Sequence, residues 1–404
     1  MIDKKNTLNK STFIFFPIFL ALYEIAIYLS NDAYLPALPF IGHDLSTTQQ
    51  LTQLTLTMWF MGSASMQLIL GPMADVYGRR SVLFYGGIIF IATTIGCSLT
   101  DNITVLLFIR FIQGATVTSM VVSGYATIHD VFSQKQAIHT LGLMNSIIIL
   151  APAFGPLFGA MVLHFLSWRW IFAILGIWSA LALIALFFIM PTSKGEHQSL
   201  HLGRTLLEYK RILTNKTFML HLLTSRCLFA AMIAWITASP FLLVNTFHYT
   251  PSGFGIIQVF IFGCFILGNR IVKQLMNFLE LNIIIKIGIS LAFLAGLYAF
   301  ISSMLSPTYL WNLVAGMMLF AAGTGLVFPI LERLAIESSK EAMGSRVAIS
   351  SSMMGISGML GSAIISLFYK GTLFEFSSVL LSLCCGSLLF FFLQYKIFPQ
   401  EPSE

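Results

Sequence analysis

Long apolar runs separated by short polar stretches fill almost the whole chain. A helix that crosses a membrane needs about 20 predominantly apolar residues, and twelve runs reach that length. The pattern therefore predicts twelve membrane-spanning helices. The runs cover roughly 12–40, 51–74, 81–100, 103–129, 138–165, 168–190, 217–245, 253–277, 281–303, 308–333, 344–369 and 374–397.

Composition points to the same fold class. Of the 404 residues, 57% are hydrophobic and only 9% are charged, whereas an average soluble protein carries about 25% charged residues. We therefore predict an all-α polytopic membrane protein with the lipid bilayer as its surroundings. The eight histidines and five cysteines show no metal-ligand spacing, so no metal site, cofactor or embedded enzyme is expected.

Basic residues mark one side of the predicted membrane. Counted loop by loop, 18 of the 22 Lys and Arg residues fall in the tails and alternate loops on one side, and two fall on the other. Since Lys and Arg are enriched in cytoplasmic loops, both termini are predicted to be cytoplasmic. The net charge of +6 is thus explained by topology, and no nucleic-acid partner is expected.

The longest polar stretch divides the predicted helices into two sets of six. We expect an N-terminal bundle over residues 1–190, a cytoplasmic connector over 191–216 and a C-terminal bundle over 217–404. Within the connector, residues 202–213 alternate leucines with charges, which is typical of a short helix on a membrane surface. Paired six-helix repeats are used by secondary transporters, whose site lies near the membrane midplane between the repeats.

The first predicted helix carries acidic residues inside its apolar run. Glu24, Tyr28 and Asp32 are spaced i, i+4, i+8 and therefore share one helix face. A carboxylate within a span costs about 2.5–3.5 kcal/mol, so both acids are expected to face a cavity or a partner. Because a low dielectric disfavours the charged form, the pair can exchange protons and attract a cationic substrate. For Asp32, the alternative is a capping or hydrogen-bonding role beside Pro36.

Two basic residues also fall inside predicted spans. Arg110 shares a helix face with Gln113, and a buried guanidinium requires a carboxylate or carbonyl partner. We expect a protonation-dependent pairing of Arg110 with Glu24 or Asp32; permanent hydrogen bonding to backbone carbonyls is the alternative. Arg226 either extends to the membrane surface or faces the substrate cavity.

Two further segments are candidates for conformational control. Residues 71–81 combine glycines that permit tight turns with charges that can pair across cytoplasmic helix ends. This expected charge clasp comprises Gly71, Asp75, Gly78, Arg79, Arg80 and Asp130. In the fifth span, prolines remove backbone hydrogen bonds and glycines allow close helix contact; these residues are Pro152, Gly155, Pro156 and Gly159.

An adaptable apolar surface for substrate is expected from methionine, aromatic and amide side chains. The candidates, besides Arg226, are Met58, Met144, Asn145 and Trp235. The acids of the C-terminal half offer no deep site, because Glu332, Glu337 and Glu341 gather at the cytoplasmic end of the tenth span.

These motifs resemble those of the major facilitator superfamily. GPMADVYGRR at 71–80 resembles its motif A, IRFIQG at 109–114 its motif B and APAFGPLFGA at 151–160 its antiporter motif C, in which Ala151 and Phe158 replace two glycines. WRWIF at 168–172 and the Glu24 and Asp32 pair are similar to Bcr/CflA and MdfA-type members of the twelve-helix drug:proton antiporter branch. The resemblance implies proton and substrate handling by the two acids, with Arg110 coupled to them.

The sequence therefore predicts a proton-coupled antiporter that exports lipophilic cationic or neutral drugs across the bacterial inner membrane by alternating access. The proton gradient is the expected energy source, and the expected partners are protons, lipid and a small lipophilic molecule. A monomer is expected. An exporter of an endogenous metabolite or siderophore with the same fold is the alternative.

Overall fold

The computed structural model describes residues 10–191 and 202–397, and helices account for nearly all the regular structure in these ranges. The fourteen α-helices of the described residues are α1 Lys10–Asp32, α2 Leu38–Asp44, α3 Gln49–Tyr77, α4 Arg79–Leu99, α5 Ile103–Val131, α6 Gln134–Phe165, α7 Arg169–Ile189, α8 Leu202–Thr214, α9 Lys216–Pro240, α10 Pro251–Leu275, α11 Leu281–Leu305, α12 Leu310–Glu337, α13 Met343–Phe368 and α14 Leu373–Ile397. The all-α prediction is confirmed.

Eleven helical segments of the described residues are long and apolar enough to cross a membrane. The remaining predicted span corresponds to α6, whose apolar part, Leu150–Phe165, is shorter. The first apolar run is divided, because a 3₁₀ turn, Leu35–Ala37, separates α1 from α2. Pro36 lies in this turn, and it has no backbone N–H with which to continue the α1 hydrogen bonds. The chain is thus a multi-pass membrane protein.

The described chain divides into two compact units, and each is described by itself. The first unit comprises residues 1–47 and 58–200. Within it, α1 packs against α6 and α7, and α4 packs against α5 and α7. The α1 side chains Leu20 and Tyr23 are fully buried, and Tyr23 meets Phe90 of α4 edge to face. The acidic helix is therefore the interior helix of this unit.

The second unit comprises residues 48–57 and 201–404. Its interior helix is α9, which packs against α12, α13 and α14. The side chains of Phe218, Leu222 and Trp235 on α9 are fully buried. After Pro240, one π-helical turn, Phe241–Thr246, continues the same span.

The connector forms the short helix that its pattern predicts. On α8, Ile212 is fully buried, and Glu208 accepts a hydrogen bond of 2.7 Å from Ser345 of α13. The leucines Leu206 and Leu207 are exposed on the same helix. The helix is thus anchored to the second unit by one face, and its contact with the membrane surface stays a prediction.

Candidate functional site

Four charged side chains are buried among the residues that the structure describes. The exposed fractions are 0% for Glu24, 4% for Asp32, 0% for Arg110 and 3% for Arg226. Burying a charge is costly unless the charge is paired or hydrogen-bonded, so the partners of each one define what it can do. The first three lie in the first unit and Arg226 lies in the second.

Glu24 is held by a tyrosine that the sequence did not single out. The Tyr125 hydroxyl of α5 donates a hydrogen bond of 2.5 Å to Glu24 Oε1. The other carboxylate oxygen, Oε2, is buried with no hydrogen-bond partner. Tyr28, one turn further along α1, is half-buried. Glu24 therefore keeps one oxygen free to accept a proton or a substrate cation.

Arg110 is surrounded by neutral oxygens. Its guanidinium donates to the Ser30 backbone carbonyl and to Asn31 Oδ1 of α1, both at 3.1 Å, and to Gln113 Oε1 on its own helix. The guanidinium carbon lies 4.5 Å from the centre of the Tyr34 ring, which gives a favourable cation–π contact. The positive charge is thus solvated by dipoles and an aromatic face.

The link between Arg110 and Asp32 passes through Asn31. The Asn31 amide nitrogen donates to Asp32 Oδ1 at 3.3 Å while its oxygen accepts from Arg110. Within the described residues, no ion pair joins Arg110 to Glu24 or Asp32. In this conformation Arg110 therefore bonds to a backbone carbonyl, which was the alternative to pairing with Glu24 or Asp32. It also bonds to Asn31, which the sequence did not identify.

The glycines of α6 bring that helix onto α1 at Asp32. A Cβ atom added at Gly155 would lie 2.7 Å from the Asp32 Cβ, and one added at Gly159 would overlap the Ala33 carbonyl oxygen. Only hydrogen fits at these positions. Pro152 and Pro156 lie inside the same helix. The predicted close contact of this segment is therefore with the acidic helix itself.

Two arginines of the expected charge clasp join helices of the first unit. Arg79 at the start of α4 pairs with Asp130 of α5 and donates to the Ala126 carbonyl at 2.8 Å. Arg80 instead donates to the Phe187 carbonyl near the end of α7, at 2.6 Å. These two neighbouring arginines thus hold α4 to two different helices.

The glycines of the same segment differ in their surroundings. Gly78 has a φ angle of +86° at the junction of α3 and α4, whereas a Cβ added at Gly71 would meet no atom within 4 Å. A positive φ favours glycine, so the turn depends on Gly78. The side chain of Asp75, the remaining member of the expected clasp, lies outside the part that the structure describes.

The second unit contains an ion pair in which Arg226 is buried and Glu332 is partly exposed. Arg226 of α9 pairs with Glu332 of α12 and donates to the Ser350 hydroxyl of α13 at 2.8 Å. The Ser350 hydroxyl donates in turn to the second carboxylate oxygen of Glu332, at 2.7 Å. Sequence reasoning missed this pair because it placed Glu332 with the acids of the cytoplasmic end.

The other candidates for a substrate surface have varied surroundings. Trp235 is fully buried, and its indole N–H donates to Gln258 Oε1 of α10 at 2.9 Å. Met144 is 1% exposed on α6, and Met58 of α3 is half-buried. The Asn145 side chain lies outside the described part of the chain. Trp235 thus packs within the second unit, where its ring also meets Phe376 of α14.

Comparisons with known proteins cover most of the chain. The family model described as Major Facilitator Superfamily matches residues 20–362. The chain is 31% identical over 341 residues to Multidrug resistance protein MdtM of Escherichia coli (strain K12), a match that covers 82% of this chain and 81% of that protein. It is 33% identical over 340 residues to Multidrug transporter MdfA of Edwardsiella ictaluri, with 82% and 81% covered. It is 30% identical over 348 residues to Chloramphenicol resistance protein CraA of Acinetobacter baumannii, with 86% and 84% covered.

Solved structures share the fold at low identity. A bacterial homologue of the human lysosomal transporter Spinster, inward-facing and unoccupied, matches with a TM-score of 0.75 and 13% identity over 98% of this chain and 100% of that chain. A mutant of the nucleoside transporter NupG matches with a TM-score of 0.73 and 14% identity over 95% of this chain and 100% of that chain. These matches support the fold alone.

Proposed function

This chain belongs to the major facilitator superfamily, and we propose that it is a proton-coupled antiporter that exports lipophilic cationic and neutral drugs by alternating access. The relatives named for multidrug resistance or multidrug transport support the drug class. The proposed location is the bacterial inner membrane, with both termini in the cytoplasm. The proton gradient supplies the energy.

The observation that carries the proposal is the excess of buried negative charge on α1. Glu24 and Asp32 are buried, and the buried cation of the same unit, Arg110, is bonded to neutral oxygens. With both acids ionised, the three side chains carry one net negative charge. Such a site attracts a lipophilic cation, because opposite charges interact strongly where water is excluded.

The same carboxylates link drug exit to proton entry. A proton that binds to Glu24 or Asp32 forms an O–H bond and removes the charge that held the cation, so the cation is released. When the next cation binds from the cytoplasm, the carboxylic acid gives its proton to water on that side. One proton therefore enters for each charge that is neutralised, and no cofactor takes part.

Proton release on drug binding tests the proposal directly. In lightly buffered detergent solution, adding tetraphenylphosphonium to the purified wild-type protein is expected to lower the pH of the medium. Asp32→Asn and Glu24→Gln are each expected to release at least about tenfold less proton, since a site without its carboxylate loses an attraction to the cation of roughly a few kcal/mol.

Asp101→Asn is the matched control, because Asp101 is an exposed acid whose side chain is 85% accessible. Its proton release is expected to equal that of the wild type. The proposal is wrong if both site variants release protons as the wild type does. Unchanged drug susceptibility of a deletion strain, together with no proton release by any drug, would instead favour export of a metabolite.

A further inference from the structure

The ion pair of the second unit connects three helices through one closed set of hydrogen bonds. The Arg226 guanidinium binds Glu332 Oε1 through one terminal nitrogen and the Ser350 hydroxyl and carbonyl through the other, at 2.8 and 3.0 Å. Ser350 completes the set by donating to Glu332 Oε2. Both carboxylate oxygens therefore have a donor, and the arginine charge is matched by a carboxylate.

The buried arginines of the two units thus have different partners. Arg110 is solvated by neutral oxygens, so Glu24 and Asp32 keep their negative charge available. Arg226 has a counter-charge, so the pair it forms with Glu332 is neutral overall. A charge in a low-dielectric interior is screened much less than one in water and acts beyond its direct neighbours. Arg226 does not have to touch a substrate to repel a cation.

We propose that Glu332 determines the charge selectivity of transport by neutralising Arg226. With the carboxylate present, the positive charge of the buried Arg226 is cancelled by the partly exposed Glu332, and lipophilic cations are carried. Without it, the unpaired guanidinium repels cations while neutral molecules of similar size are still carried. The selectivity between cations and neutral molecules then depends on a repulsive charge, that of Arg226, which Glu332 neutralises in the wild type. This inference rests on the proposed export of drugs.

The test compares a cation with a neutral drug on the same protein. Wild type and variants are reconstituted into proteoliposomes with an imposed pH gradient, and the transport of tetraphenylphosphonium and of chloramphenicol is measured. In Glu332→Gln, which keeps the shape of the side chain, the cation-to-neutral ratio is expected to fall by at least about tenfold. In the Arg226→Gln, Glu332→Gln double variant, which removes both charges, the ratio is expected to return to within about threefold of the wild-type value.

A matched control is available on the same helix. Glu337 is exposed and pairs with Arg333 one turn earlier, so Glu337→Gln is expected to leave the ratio unchanged. Equal loss of both substrates in Glu332→Gln would mean that the ion pair only stabilises the unit, and it would overturn the inference. An unchanged ratio would overturn it as well.

Two outcomes separate this inference from the proposed function and from misfolding. If the wild type carries neither substrate, the export function is wrong and the selectivity role falls with it. If Glu332→Gln does not fold, Arg226→Gln replaces it, because this variant removes the guanidinium and retains the carboxylate. Its ratio is expected to rise above that of the wild type, because the Glu332 carboxylate is left unpaired, and an equal or lower ratio overturns the inference.

Discussion

Tyr125 holds one oxygen of the buried Glu24 carboxylate and leaves the other without a partner. Tyr125→Phe removes the donor and keeps the ring. A hydrogen bond to a charged group contributes about 1.5–3 kcal/mol, so drug-induced proton release is expected to fall by about tenfold. Tyr298→Phe is the control, because Tyr298 bonds to Asn312 at an exposed place in the second unit. Wild-type proton release by Tyr125→Phe would contradict a role for this bond.

Residue identity predicted the buried charges but only one of their side-chain partners, Gln113 beside Arg110. Glu24, Asp32, Arg110 and Arg226 stand out because each interrupts an apolar run that a charge makes costly. Tyr125 lies 101 residues from Glu24 in the sequence. A tyrosine in an apolar run has no such cost, so nothing local distinguishes Tyr125 from the other aromatic residues. Partners of this kind follow only from the packing of helices.

At the scale of helices, the contact between α1 and α6 depends on glycine. Gly159→Ala would place a Cβ on the Ala33 carbonyl, which forces α6 away from the residue that follows the end of α1. Overpacking of this kind typically costs 1–3 kcal/mol, so the melting temperature is expected to fall by about 5 °C, and drug transport is expected to fall with it.

Gly142→Ala is the control on the same helix, because a Cβ there would meet no atom within 4 Å. Alanine has a higher helix propensity than glycine, so this variant is expected to melt at or above the wild-type temperature. Equal melting temperatures and equal transport in the two variants would show that the close contact is unimportant.

The sequence predicted the positions of the helices more accurately than the breaks within them. The run at 168–190 became Arg169–Ile189, whereas the run at 12–40 was broken by the 3₁₀ turn at Leu35–Ala37. Hydropathy measures how apolar a stretch is and does not record where a backbone hydrogen bond is missing. Pro36 is the residue at which the break could have been predicted, because proline has no backbone N–H to continue the helix.

At the scale of the whole molecule, the distribution of basic residues gives a prediction about topology. Because the predicted topology assigns 18 of 22 Lys and Arg residues to the cytoplasmic side, a C-terminal green fluorescent protein is expected to fluoresce, since it folds in the cytoplasm. Alkaline phosphatase inserted at Gly371, in the turn between α13 and α14, is expected to be active, because it requires the opposite side. Activity of alkaline phosphatase at the C-terminus would contradict the assigned orientation.

The ion pair in the second unit has a consequence for how the protein is made. Arg226 is synthesised 106 residues before Glu332 and 124 residues before Ser350. At about 5–20 residues per second, the ribosome needs on the order of 10 s to deliver these partners. During that interval α9 carries an unmatched arginine, whereas the α1 partners of Arg110 are already synthesised when α5 emerges. We therefore expect α9 to insert stably into the membrane only after α12 and α13 have been translated.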